Sequence, residues 1–101
     1  MKIRILSSAF DDLSRGRDFY EQQGEGLDGY FLDSLFSDID SLRLYAGIHR
    51  KVFSFHRLLS KRFPHAIYYR METENEAVVY RLLDCRQNPR KIRASLRKTH
   101  K

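Results

Sequence analysis

The 101 residues are 42% apolar and 13% aromatic, enough for one modest core and too hydrophobic for a chain that stays disordered. No run approaches the roughly 20 apolar residues of a membrane span, and Met1-Lys2-Ile3-Arg4 lacks the apolar stretch of a secretory signal, so a cytoplasmic location is expected. Cys85 is the only cysteine, which sets aside a disulfide scaffold and a cysteine-based zinc site, and the formal net charge of +6 favours anionic partners.

Lys2 to Leu6 alternates Ile3 and Ile5 with Lys2 and Arg4, the period of a half-buried strand. Ser8 is placed to cap a helix whose first turn holds Asp11 and Asp12, with Phe10, Leu13, Arg17 and Tyr20 at helical spacing and a stop near Gly24. Beyond the Gly24-Glu25-Gly26 break, Phe31, Leu32, Leu35, Phe36, Ile39 and Leu42 recur every three or four residues. This is the apolar stripe of a longer helix, with Gly47 as its expected cap. Two helices so closely joined form an antiparallel hairpin whose apolar surface needs a sheet to cover.

The second half supplies that sheet. Lys51 to Leu58, Ala66 to Met71 and Glu76 to Leu83 read as strands, the last two joined as a hairpin through the polar run Glu72 to Glu76, with Pro64 at the entry to the middle one. Tyr68 and Tyr69 alternate across their strand, so one is expected in the core and the other half-exposed. Cys85, at the end of an apolar strand, reads as a small buried residue. Asn88 and Pro89 open a final basic helix as N-cap and first helical residue. The order β-α-α-β-β-β-α predicts an α+β fold, a helical hairpin packed on a mainly antiparallel four-stranded sheet, with residues 1–101 as a single domain.

Charge is segregated along the chain. From Met1 to Cys85 there are 12 Lys/Arg against 13 Asp/Glu, whereas Arg86 to Lys101 holds seven Lys/Arg and no acid. A second acid-free stretch, Gly47 to Arg70, contains Arg50, Lys51, Arg57, Lys61, Arg62 and Arg70. If the fold unites these stretches they make a positive face suited to phosphates or to an acidic protein surface; dispersed, the same charges only keep the protein in solution.

Standard catalytic signatures are absent: no glycine-rich phosphate loop, no Gly-x-Ser-x-Gly and no His-x-x-x-His pair. His49, His56, His65 and His100 are scattered, so neither a metal site nor a cofactor is expected. What remains is an ordered pattern: Arg57-Leu58-Leu59, then Phe63-Pro64-His65-Ala66-Ile67-Tyr68-Tyr69-Arg70, then Val78-Val79-Tyr80-Arg81-Leu82-Leu83-Asp84-Cys85-Arg86-Gln87-Asn88-Pro89. Together with Asp11-Asp12-Leu13, Phe19-Tyr20-Glu21 and the Gly47-Ile48-His49 break, it resembles the RelE/ParE superfamily of type II toxin–antitoxin toxins. The likeness covers nearly the whole chain and is closest to the ParE-like branch.

The resemblance implies a growth-inhibiting toxin, of the kind tied to plasmid stabilisation, held by a cognate antitoxin whose flexible segment folds on its surface. ParE-like members engage DNA gyrase without doing chemistry. RelE-like members are endoribonucleases that cut messenger RNA on the ribosome, using basic side chains to stabilise the charge developing at phosphorus. A homodimer or a toxin–antitoxin hetero-oligomer is compatible with either. By motif, Arg86 falls on a phosphate-stabilising arginine of the nucleases, but His65 replaces an expected arginine and Ile92 an expected tyrosine. The expectation is therefore a non-enzymatic, gyrase-directed toxin, with Arg57, Lys61, Arg62, Arg81, Arg86, Arg90 and Arg93 as target-binding residues. In the alternative, a nuclease, Arg86 and His65 are the catalytic pair, His65 acting as general acid or base.

Overall fold

In the computed structural model, which describes residues 1–99, β1 (Lys2–Ile5) leads into α1 (Ser7–Gln23), α2 (Leu27–Asp40) and the single turn α3 (Leu42–Tyr45). There follow β2 (Lys51–Val52), β3 (Phe55–Leu59), β4 (His65–Thr73), β5 (Glu76–Asp84) and α4 (Pro89–Thr99). The sheet order is β1-β5-β4-β3-β2, with β1 parallel to β5 and every other pair antiparallel. His100 and Lys101, which the sequence reading counted with the scattered histidines and the basic tail, lie outside the described residues.

The sheet has five strands rather than the expected four. The segment read as one strand folds back on itself at Phe53 and Ser54, both with positive φ (53° and 70°), so that Lys51 pairs with His56 and Val52 with Phe55. Nothing in that run marks the turn, because neither residue is one of the Asn or Gly types that such a turn favours. The long second helix is likewise divided. It ends at Asp40, where the Ser41 hydroxyl donates to the Asp38 carbonyl at 2.6 Å and its amide is shared between Ser37 and Asp38, bending the chain into α3. Gly47 follows the end of α3 rather than of α2, one residue beyond the C-cap Ala46. Its φ is +94°, and its amide donates to the Tyr69 hydroxyl at 2.8 Å.

Alternation along β4 gives the sheet two apolar faces. On one, Ile67, Tyr69, Ala77, Val79 and Leu82 pack under α1 and α2 through Ala9, Leu13, Phe31, Leu35 and Ile39. On the other, Phe55, Ala66, Tyr68 and Leu83 receive Ile92 and Leu96 of α4. Both tyrosines are thus fully buried, contrary to the half-exposed position expected for one of them, because helices cover both faces. Their hydroxyls have partners: Gly47 and His49 for Tyr69, Arg57 for Tyr68.

Helix α1 starts without a side-chain cap. Its Leu6 carbonyl accepts from Ala9 and Phe10, while Ser8, the expected cap, instead donates to the Tyr80 carbonyl at 2.7 Å. No acid sits in its first turn. By contrast α4 begins as read, the Asn88 side chain accepting the Arg90 amide at 2.8 Å with Pro89 in the first turn.

Gly16 of α1 is where the two helices approach. A Cβ there would meet the buried Phe31 ring, with Cε2 at 2.5 Å. Alanine in a helix interior ordinarily stabilises by about 1 kcal/mol over glycine. Here the ring has no room to yield, so Gly16→Ala is expected to destabilise by about 1–3 kcal/mol, read as a lower urea midpoint at unchanged slope. Gly29→Ala on α2, where a Cβ meets nothing within 4 Å, is expected to move the midpoint the other way.

Candidate functional site

Two surfaces concentrate the polar chemistry, one on each side of the sheet. The first is a cavity of about 420 Å³ between α1, the start of β4, the end of β5 with the chain that leaves it, and Ser95 of α4. Strand β1 pairs only as far as Val79, so the following part of β5 has an open edge that α1 covers. Asp12, buried on α1, takes the place of a strand partner by accepting the Leu82 amide at 2.9 Å. The same carboxylate binds Arg81 through two bonds of 2.7 and 2.9 Å and Arg15 at 2.8 Å. Arg81 also donates to the Ser95 carbonyl and Thr99 hydroxyl of α4, each at 3.2 Å. Arg81, expected to touch a target, thus directs its donors into the molecule; its hydrogen bonding to the Asp12 carboxylate is the main cause that raises its pKa.

At the mouth of this cavity Arg86 grips Asp84 by bonds of 3.0 and 2.7 Å and also bonds the Tyr20 hydroxyl. Arg86 is the chief reason that the Asp84 carboxyl titrates below its ordinary range. Asp84 stands opposite His65 in the register of β4 and β5. His65 is 8% exposed, edge-on to Phe31 at 5.2 Å, and its Nδ1 has no hydrogen-bond partner among the described residues. Burial, partly offset by Asp84, pushes its pKa below the ordinary imidazole value. The nuclease candidates His65 and Arg86 therefore share one cavity, with Tyr20 between them. Tyr20, Asp12 and Asp84 were not singled out for this site, since their meeting depends on strand register rather than on spacing in sequence.

The lowered imidazole pKa has a measurable sign. As pH falls through the unfolded value near 6.5, the unfolded chain takes up a proton that the native state refuses, so the contribution of His65 is complete above about pH 6.5 and is lost toward the native pKa. Chemical denaturation between pH 8 and pH 5 is expected to show wild type losing more stability than His65→Gln; a constant difference between the two would mean that His65 takes up its proton equally readily in the folded and unfolded chains.

The second surface belongs to α4. Ile92 and Leu96 are buried against the sheet, which leaves Arg90, Lys91, Arg93, Arg97 and Lys98 exposed. Ile92, at the position of the nuclease tyrosine, is thus a core residue. Arg57 on β3 lies in register with Tyr68 and Arg81 on the same side of the sheet. Lys61 and Arg62 are exposed on the β3–β4 loop, which is tied to the chain leaving β5 by the Cys85 amide donating to the Pro64 carbonyl at 2.8 Å. Among the described residues none of Arg57, Lys61, Arg62, Arg90 or Arg93 is ion-paired. The two basic stretches do meet, as Arg93 over the Phe53 ring shows, but Arg81 and Arg86 turn toward the α1 cavity. Cys85 is exposed rather than buried, because β5 has ended and the chain is turning away from the core.

Among the described residues no group of His, Cys, Asp or Glu is placed to hold a metal, and no helix is long and apolar enough to cross a membrane. The architecture defines a class: a small α+β protein in which a helical hairpin and a basic C-terminal helix clasp opposite faces of one mainly antiparallel sheet. No family model and no curated protein matches the chain. Among solved structures it is similar to a chain of the chromosomal ParDE TA system from P. aeruginosa, with a TM-score of 0.66 and 18% identity, covering 81% of this chain and 92% of that one. At that identity the likeness shows the fold alone, and the α+β class expected from the sequence is the one found.

Proposed function

We propose that this chain is the toxin of a type II toxin–antitoxin pair, that it acts in the cytoplasm, and that it inhibits growth by engaging DNA gyrase without doing chemistry. The observation that carries this reading is α4. Its apolar side is consumed by docking on the sheet, and its other side is an acid-free cationic surface, the arrangement of a recognition element. Arg57, Lys61 and Arg62 extend that surface. The test is gyrase supercoiling in vitro with the purified chain and with a variant in which Arg90, Arg93 and Arg97 are all changed to Glu.

A cognate antitoxin is the natural partner of the opposite side. Tyr30 and Phe36 on α2 and Leu44, Tyr45 and Ile48 at and beyond α3 are exposed, Leu44 by 81% and Ile48 by 72%. Exposed apolar side chains of this number suit a flexible segment that folds on contact. The nuclease reading is favoured by one observation, the shared cavity of His65 and Arg86, and is opposed by three: the burial of Ile92, the pairing of Arg86 with Asp84, and the burial of His65. Cut messages after induction, absent with His65→Gln, would establish it instead.

A further inference from the structure

The tip of the β2–β3 hairpin is made of residues unsuited to its backbone. Phe53 and Ser54 both lie at positive φ, where glycine and asparagine are at ease and a bulky residue is an outlier. Such conformations persist when the surrounding structure holds them in place, and they concentrate at ligand sites. The Phe53 ring is 40% exposed, and the Arg93 guanidinium carbon stands 5.8 Å from its centroid. Arg93 and Phe53 approach because α4 is seated on Phe55, the residue that ends the turn.

Beside the ring is a cavity of about 300 Å³, with Phe55 and Leu96 as its apolar floor and Ser54, Arg70, Arg93 and Arg97 as its polar wall. No acid lines it. A second hollow of about 310 Å³ shares Ser54 and Arg70 and continues past His56 to Lys51. The two make one groove running around the turn. Arg70 is held within it, its guanidinium carbon 4.0 Å over the Phe55 ring.

We propose that this groove binds single-stranded nucleic acid, one unstacked base lying on the open side of Phe53 and neighbouring phosphates meeting Arg93 and Arg97 on one flank and Lys51 on the other. Arg93 and Arg97 are four residues apart on α4 and so project from one side of the helix, spaced for consecutive phosphates of an extended strand. An exposed aromatic ring between cations is the pairing that strand-tracking proteins use, stacking being indifferent to base identity. Each hollow has the size of about one nucleotide, and a base held in a duplex cannot reach the ring. An acidic peptide would satisfy the arginines but leave the aromatic ring without a role. The binding is a property of the chain alone and does not depend on gyrase being its target.

The experiment is fluorescence anisotropy of a labelled twelve-nucleotide oligothymidylate titrated with the full chain at several salt concentrations. Binding is expected to be displaced by unlabelled single strand and poorly by a duplex of equal length. Phe53→Tyr is expected to bind as wild type, and Phe53→Gly to bind about ten-fold more weakly. Because glycine is at ease at positive φ, Phe53→Gly is expected to keep or raise the thermal midpoint, which separates loss of stacking from loss of fold. Changing Arg93 and Arg97 to Gln is expected to reduce the log–log salt slope by about 1.4, roughly 0.7 for each phosphate released. Equal competition by duplex or by an oligoglutamate peptide, or an affinity that Phe53→Gly leaves unchanged, would overturn the proposal. Supercoiling inhibition retained by Phe53→Gly would leave the gyrase reading standing whatever the oligonucleotide does.

Discussion

Removing either Asp12 or Arg81 by substitution with alanine is expected to cost about 3–5 kcal/mol of folding free energy, the loss typical when one partner of a buried ion pair is left alone. The two side chains are 4% and 15% exposed. Asp12 accepts from the Leu82 amide, from Arg81 twice and from Arg15, so its removal strands a backbone donor and a guanidinium together. Arg81 in turn ties α4 to the sheet through Ser95 and Thr99. For a domain of this size the loss corresponds to a fall of about 12 °C or more in Tm. Asp12→Asn keeps an acceptor for the Leu82 amide and is expected to lose less, and changing Asp12 and Arg81 together to leucine is expected to lose less than the sum of the single alanine variants. Urea unfolding checks all four. A loss below 1 kcal/mol for Arg81→Ala would place the pair with ordinary surface ion pairs and deny it the role of joining α1, β5 and α4. Because Arg81 holds the fold, loss of toxicity in its variants must be read together with their stability.

Changing Arg90, Arg93 and Arg97 to Glu is expected to weaken gyrase inhibition at least about a hundred-fold, since each substitution turns an attraction for an acidic surface into a repulsion. The fold is expected to survive. All three side chains are exposed, the anchors Ile92 and Leu96 are untouched, and a glutamate at position 90 lies in the first turn, where the helix dipole favours it. Unchanged circular dichroism and an unchanged urea midpoint confirm this. Arg86→Ala is expected to have a much smaller effect on inhibition, since Arg86 already faces Asp84. If the triple variant inhibits supercoiling as well as wild type, α4 is not the gyrase-binding element and the proposed function fails at its central claim.

Local pattern in the chain specified the elements whose signals are local. Ile3 and Ile5 alternate and form β1; Asn88-Pro89 starts α4; Glu72 to Glu76 contains the turn between β4 and β5; and the acid-free run after Cys85 forms a cationic helix. Periodicity, caps and charge sign act over a few residues, so they are legible in one dimension. The turn at Phe53 and Ser54 and the bend at Ser41 were not legible: α4 lies over the hairpin, and the local Ser41–Asp38 bond at the bend is accompanied by a long-range one from Ser60 to the Asp38 carboxylate. The sorting of the cations was not legible either. Arg81 and Arg86 look like Arg57 and Arg93 in sequence, yet folding sends the first two to Asp12 and Asp84, half-buries Arg57 against the Tyr68 hydroxyl and leaves Arg93 exposed. Which arginine is structural and which is available depends on strand register and on which sheet edge α1 covers, and those are settled by long-range packing, to which no short stretch of chain carries the key.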